Sequence, residues 1–113
     1  MVSMNDKIGT YRAELMLAQC GVNGYAFEYY KYAVRIARED PESLNQIIKY
    51  IYYPMSLHFC QTMSHIERTM REVASRLYVQ LPALFERITN HDQDMSPTVS
   101  EVLVMLINLK YSD

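Results

Sequence analysis

HFCQTMSHIERTMREVA, residues 58–74, is the stretch that decides the fold of this chain. If it forms an α-helix, each residue turns by about 100°, and one narrow stripe of that helix is apolar. This stripe consists of Ile66, Met70, Val73 and Leu77. The opposite side carries small hydroxyls and two arginines, at Ser64, Arg68, Arg71 and Ser75. The pattern predicts a helix that packs one face on a core and presents the other to the outside.

Two residues compete to start this helix. Ser64 and Glu67 match the S-x-x-E capping box, in which side chains and backbone N–H groups bond reciprocally. Thr62 is an alternative N-cap, since threonine oxygen also accepts a bond from a helix N-terminal N–H. Either start leaves partly positive N–H groups at the helix end, where a phosphate can dock.

A shorter helix precedes this one and completes a recognisable unit. The sequence predicts a helix over Met55–Phe59, a tight turn at Cys60–Thr62, and the longer helix to about Val79. A helix, a short turn and a second helix form the helix-turn-helix, here about residues 55–79. In DNA-binding proteins with this motif, the second helix enters the major groove, where arginine can bond guanine and glutamate can accept from the cytosine amine.

The rest of the chain also reads as helical, without the alternation of a strand. Glycines and an asparagine at 20–24 end the first helix, and Pro41 opens the third. Ile8, Tyr11, Leu15 and Ala18 lie on one predicted face of the first helix, and Leu44, Ile47, Ile48 and Ile51 are apolar in the third. The remaining predicted helices are Asp6–Gln19, Tyr25–Glu39, Glu42–Tyr52, Pro82–Ile88 and Thr98–Tyr111, with a loop at 89–97. We therefore predict a single all-α domain over residues 1–113, a bundle of about six helices that contains a helix-turn-helix.

Charge limits what this domain can bind. The formal net charge is −2, which counts against an extended nucleic-acid surface. Residues 55–80 nevertheless carry three arginines against two glutamates, so any anion-binding surface is small and local. The two cysteines are forty positions apart, as in reduced cytoplasmic proteins. The apolar run VLVMLI is too short to span a bilayer. We expect a cytoplasmic protein that does not enter a membrane.

Other kinds of site are weakly supported. His58, Cys60 and His65 cluster, but they straddle a turn, and a structural zinc site needs four ligands. A Cys–His nucleophile pair has no orienting partner in view. We therefore predict no catalytic residue, no metal ligand, no cofactor and no enzyme activity. The ten tyrosines resemble base-stacking platforms, but at helical positions they are better explained as core and boundary residues.

Three segments carry a resemblance to a known family. They are GVNGYAFEYYKYAV, then IYYPMSLHFCQTMSHIERTMREVA with its I-E-R-x-x-R core, and SPTVSEVLVMLINLK. Residues 22–109 resemble the C-terminal effector domain of the sporulation master response regulator of endospore-forming bacteria, stand-alone or excised. The resemblance implies a sequence-specific, DNA-binding transcriptional regulator. The implied partners are double-stranded promoter DNA, a sigma factor of RNA polymerase and a second copy on DNA.

Glu67, Arg68 and Arg71 match in type the positions at which the family contacts DNA. The exposed face and the helix N-terminus, taken together with the resemblance, complete the predicted DNA-binding set: Thr62, Ser64, His65, Glu67, Arg68, Arg71 and Ser75. Two departures bear on these roles. The family usually has an arginine where this chain has His65, and lysines where it has Leu57 and His58. A neutral His65 can still hydrogen-bond a base edge, but fewer fixed cations weaken phosphate binding. The alternative hypothesis is a protein-interaction module on the same fold that has lost or weakened DNA binding. Leu57 and the acidic C-terminal third favour that alternative.

Overall fold

The computed structural model describes residues 4–83 and 97–109. These residues contain five α-helices, one 3₁₀-helix, one π-helical turn and no β-strand. The elements are α1 (Met4–Gln19), α2 (Gly24–Glu39), the 3₁₀-helix (Pro41–Gln46), the π turn (Ile48–Tyr52), α3 (Tyr53–Phe59), α4 (Met63–Gln80) and α5 (Val99–Ile107). The predicted all-α fold with a helix-turn-helix is confirmed. Most of the helix predicted over 82–88 and of the loop predicted over 89–97 lies outside the described residues. None of the described helices combines the length and apolar character needed to cross a membrane.

α2 is the central element and packs against every other element that the structure describes. It buries one side completely, including both rings of the pair Tyr29 and Tyr30. Tyr52 is the third tyrosine in the core, whereas Tyr25, Tyr50 and Tyr53 are exposed. The prediction that the tyrosines are core or boundary residues is therefore confirmed for the three buried rings. It is wrong for the three exposed rings.

The face predicted for α1 is wrong. The structure buries Ala13 and Leu17, and it leaves Leu15 and Ala18 exposed. Ile8 and Tyr11, the other predicted members, lie where the structure does not describe side chains. The apolar run LMLA, residues 15–18, covers every side of a helix, so periodicity cannot select one face. The end of α1 agrees with its sequence: Gly21 adopts φ 83°, and the N–H of Val22 donates to the Leu17 carbonyl at 2.9 Å.

The predicted α-helix over Glu42–Tyr52 is wrong in type. Asp40 caps this segment by accepting a bond from the N–H of Glu42 at 3.2 Å, and Pro41 opens a 3₁₀-helix. A π turn follows and runs into α3 without a break. Pro54 has no N–H, so the carbonyl four residues before it lacks its usual donor. The wider turn places Ile51 and Tyr52 in the core but leaves Ile48 exposed.

α4 is fixed to the rest of the molecule by side-chain bonds to backbone carbonyls. The Tyr30 hydroxyl of α2 donates to the Met70 carbonyl at 2.5 Å inside the core. Near the C-terminal end of α4, Gln80 Nε2 donates to the Cys20 carbonyl at 3.0 Å, and Arg76 donates to the Gly21 carbonyl at 3.3 Å. These three bonds join α4 to α2 and to the turn after α1, so the rotation of α4 about its own axis is set.

The last described helix is held at both ends. Thr98 and Glu101 form a capping box, with Oγ1 of Thr98 accepting from the N–H of Glu101 at 3.1 Å. At the other end, the Arg38 guanidinium of α2 donates to the carbonyls of Leu106 and Leu109, each at 3.4 Å. A cation there also interacts favourably with the helix dipole. α5 is thereby joined to α2, the same helix that positions α4.

We predict that Tyr30→Phe lowers the free energy of unfolding by about 0.5–1.5 kcal/mol, the usual net worth of such a bond. The variant keeps the buried ring and removes only the hydroxyl that reaches Met70. Urea unfolding followed by circular dichroism measures the change. Tyr25→Phe is the matched control, because Tyr25 is exposed and its hydroxyl change should leave stability unaltered. Equal stability of the two variants would contradict the assigned role of Tyr30.

Candidate nucleic-acid interface

The turn between α3 and α4 has the geometry of a helix-turn-helix. Three residues, Cys60, Gln61 and Thr62, separate the two helices. Cys60 adopts the left-handed conformation, with φ 55° and ψ 44°, and the N–H of Gln61 donates to the Ser56 carbonyl at 3.1 Å. This bond closes the end of α3 as a left-handed helix ending does. The observed helices extend the predicted motif, about residues 55–79, by one or two residues at each end.

Thr62 starts α4. Its backbone is extended, with φ −70° and ψ 152°, and its Oγ1 accepts from the N–H of His65 at 3.1 Å. Ser64 lies inside the first turn, so the predicted Ser64–Glu67 capping box is wrong and the alternative N-cap is right. The Glu67 carboxylate is therefore not used to close the helix start, and it pairs with Arg71 instead.

The two faces of α4 agree with the periodicity of the sequence. Ile66, Met70, Val73 and Leu77 are buried, and Ser64, Arg68, Arg71 and Ser75 are exposed. We call these four exposed residues the α4 outer face. They cover about three turns of one helix side, from its first turn to beyond its middle. The face presents two guanidinium groups and two hydroxyls outward, all of them hydrogen-bond donors.

The two arginines of this face are held differently. Arg71 forms an ion pair with Glu67, one turn earlier on the same helix. Arg68 and Glu72 have the same spacing as Glu67 and Arg71 but do not pair, and among the described residues Arg68 has no ion-pair partner. Exposed pairs of this kind contribute little free energy, so Arg71 can exchange Glu67 for another anion. Arg68 is available without any exchange.

The histidines of the motif contact aromatic rings of α2. His65 is half-buried, and its ring stands perpendicular to Tyr29 with centroids 6.1 Å apart. The His58 ring lies 4.6 Å from Tyr32 and 4.7 Å from Phe59. The structure therefore places His65 at the border of the α4 outer face rather than on it. Over the described residues, no three His, Cys, Asp or Glu side chains converge as metal ligands.

Tyr52 is a core residue whose phenol interacts electrostatically with Glu67 and Arg71, an interaction that the sequence analysis missed. Burial, together with the nearby negative charge of Glu67, raises the pKa of its phenol to about 12, and Arg71 partly opposes this. The phenol therefore lies within electrostatic reach of the Glu67–Arg71 pair. The sequence signal was present, because Tyr52 belongs to the segment that carries the family resemblance.

Comparison with protein-family models matches residues 14–109 to the family described as sporulation initiation factor Spo0A C terminal. The match includes α2, the whole helix-turn-helix and α5, and it begins eight positions before the resemblance identified from the sequence. Comparisons with curated proteins and with solved structures give no match.

We predict that Cys60→Gly raises the free energy of unfolding by about 0.5–1 kcal/mol. A left-handed residue with a side chain costs about 1–2 kcal/mol, and part of the gain is lost to the greater freedom of glycine in the unfolded chain. Cys60→Ala is the control, since it removes the thiol but keeps the strained conformation. Urea unfolding of the three proteins makes the comparison. A stabilisation that Ala reproduces would assign the effect to the thiol and not to the backbone.

We predict a pH dependence of stability that Tyr52 causes. Its folded pKa of about 12 exceeds the value of an unfolded tyrosine, about 10, so the folded state keeps a proton that the unfolded state loses. The resulting stability is fully present below about pH 10 and is lost as the pH rises towards 12. Between about pH 10 and 12, unfolding of Tyr52→Phe should release about one proton fewer than unfolding of the wild-type protein. Denaturant unfolding at several pH values measures this, and an identical slope in both proteins would contradict it.

Proposed function

This chain belongs to the family of sporulation initiation factor Spo0A C-terminal domains, and we propose that it binds double-stranded promoter DNA sequence-specifically as a transcriptional regulator. The family consists of effector domains of sporulation regulators and is not a family of enzymes. DNA binding by this chain, and the residues that carry it, are the content of the proposal.

The α4 outer face is the observation that carries the proposal. In helix-turn-helix proteins the second helix lies in the major groove, and residues of its first turns meet base edges. The face begins in the first turn of α4 and is exposed along its length. Its hydroxyls and guanidinium groups suit the phosphate oxygens and the acceptor atoms of guanine. The buried stripe on the other side of α4 keeps these groups directed outward.

Arg68 is the principal contact in this proposal, with Arg71 second. Arg68 has no ion-pair partner among the described residues, so binding a base or a phosphate costs it no existing pair. Arg71 leaves Glu67 or keeps it as a neighbour while it contacts the duplex. Glu67 then either accepts from a cytosine amine or orients Arg71, and both uses change base choice.

The start of α4 supplies the phosphate contacts. The Thr62 oxygen accepts the N–H of His65, but its hydroxyl hydrogen remains available as a donor. Ser64 is exposed in the first turn, where N–H groups and the helix dipole favour an anion. His65 tunes base choice from the edge of the face, and Ser75 contacts the backbone at its far end.

Two further partners belong to the same proposal. The resemblance implies paired domains on neighbouring DNA sites and contact with a sigma factor of RNA polymerase. Both rest on the family alone, because no surface described above identifies either partner. With two arginines on the α4 outer face and a chain charge of −2, binding should weaken with salt less steeply than for strongly basic domains.

We predict that Arg68→Ala weakens specific DNA binding by about 5- to 150-fold, since one good arginine–base contact contributes about 1–3 kcal/mol. Arg71→Ala should have a smaller effect, because its pair with Glu67 offsets part of its charge. Fluorescence anisotropy with a pool of promoter-length duplexes, at about 50 and 200 mM salt, selects a site and measures each variant on it. Arg35→Ala is the matched control, an exposed arginine on α2.

The control separates a site from a general charge effect. If Arg35→Ala weakens binding as much as Arg68→Ala, the loss reflects net charge and α4 is not the reading helix. If the wild-type protein binds no duplex at low salt, the protein-interaction alternative replaces the proposal.

A further inference from the structure

A stripe of large apolar side chains lies on the outside of the π turn and α3. Tyr50, Tyr53 and Leu57 are 43%, 53% and 64% exposed, and we call these three residues the α3 stripe. Scattered exposed hydrophobic residues need no explanation, but a row of three at helical spacing is typical of an interaction site. Tyr53 and Leu57 are one α-turn apart, and Tyr50 lies about one turn before Tyr53.

The α3 stripe is not a part of the core that failed to close. The same segment buries Ile51, Tyr52 and Met55 on its other side. The helix therefore has a complete inner face and a second apolar face that no described element covers. Exposing these three large apolar side chains to water is unfavourable in free energy, and a partner that covers them would remove that cost.

Charge selects the kind of partner. Residues 43–66 contain no aspartate and no glutamate, although the chain as a whole carries −2. Lys49 borders the stripe, with its Nζ 5.3 Å from the centre of the Tyr50 ring. A second copy paired through the same segment would bring no aspartate or glutamate from residues 43–66 to either Lys49, in any pairing direction. A partner that carries carboxylates beside an apolar row satisfies both features.

Size and spacing select the shape of the partner. Three partly exposed side chains supply far less than the roughly 800 Å² per side of a stable interface between globular proteins. Anchors at i, i+3 and i+7 instead suit a single helix lying along the stripe, as in complexes that recognise an amphipathic helix. The complex would be weak and reversible.

We propose that the α3 stripe docks an acidic amphipathic helix of another protein. The apolar row of that helix covers Tyr50, Tyr53 and Leu57, and its flanking carboxylates pair with Lys49. This surface consists of residues outside the α4 outer face, and the proposal does not rest on DNA binding.

The test uses two synthetic helical peptides of about 18 residues, long enough to form helix in water. Both carry leucines at i, i+3 and i+7, one with glutamates and one with lysines on the flanks. Anisotropy of the labelled peptides on the whole chain should give binding in the tens of micromolar for the glutamate peptide. The lysine peptide should bind at least tenfold more weakly.

Variants locate the site. Leu57→Ser should weaken the glutamate peptide about tenfold, and Lys49→Glu should reverse the preference between the two peptides. Val79→Ser is the matched control, because Val79 is also a highly exposed apolar residue, at 77%. It lies near the far end of α4, about 24 Å along the axis from Met63, the first residue of that helix after the turn that follows α3. Thermal melts should show that all three variants remain folded, since each changed side chain is exposed.

Three results would overturn the proposal. The first is the absence of any preference for the glutamate peptide, either because neither peptide binds at about 1 mM or because both bind equally. The second is an effect of Val79→Ser as large as that of Leu57→Ser. The third is a wild-type dimer in analytical ultracentrifugation that Leu57→Ser dissociates, which would assign the stripe to a second copy.

Discussion

The Tyr30–Met70 hydrogen bond is the constraint on which the arrangement of this molecule most depends. It joins the central helix α2 to the middle of α4 at a point that water does not reach. Burial raises the pKa of the Tyr30 phenol well above its ordinary value, so the donor stays protonated. With the two bonds from Arg76 and Gln80, α4 cannot turn about its axis without breaking a bond to a backbone carbonyl. The direction of the outer face is therefore a property of the core.

α4 consequently has two halves with different tasks. Its first half carries the exposed arginines and begins at the three-residue turn. Its second half is attached to the turn after α1 through Arg76 and Gln80. Residues 55–80 contain three arginines, but Arg76 is already bonded to the Gly21 carbonyl and helps to hold the helix in place. The number of cations free to meet a phosphate is smaller than the composition indicates.

Amphipathic periodicity made α4 predictable, because a single apolar stripe fixes both its inner and outer faces. The same reasoning failed for α1, whose consecutive apolar residues leave no stripe to choose. The sequence could not decide whether Thr62 or Ser64 is the N-cap of α4. Both residue types suit that position, and only the backbone conformation in the structure distinguishes them. The pair of Arg71 with Glu67 is local and follows from their i,i+4 spacing on one helix, whereas the neighbourhood of His65 and Tyr29 depends on how α2 and α4 pack. Local rules predicted the helices, and contacts between helices decided which side chains remain free.

The π turn before α3 has a consequence for how this domain tolerates changes in length. A π turn holds one residue more than the α-helical turn it replaces. Loss of one exposed residue of this turn, Lys49 or Tyr50, would restore an ordinary α-helical turn and leave the segments on its two sides in nearly the same relative rotation. The same deletion within α4, which has no such turn, would rotate its two halves by about 100° relative to each other and divide its buried stripe. Single-residue deletions in the π turn are therefore more tolerable than single-residue deletions within α4, and this turn is where the domain can change its length by one residue.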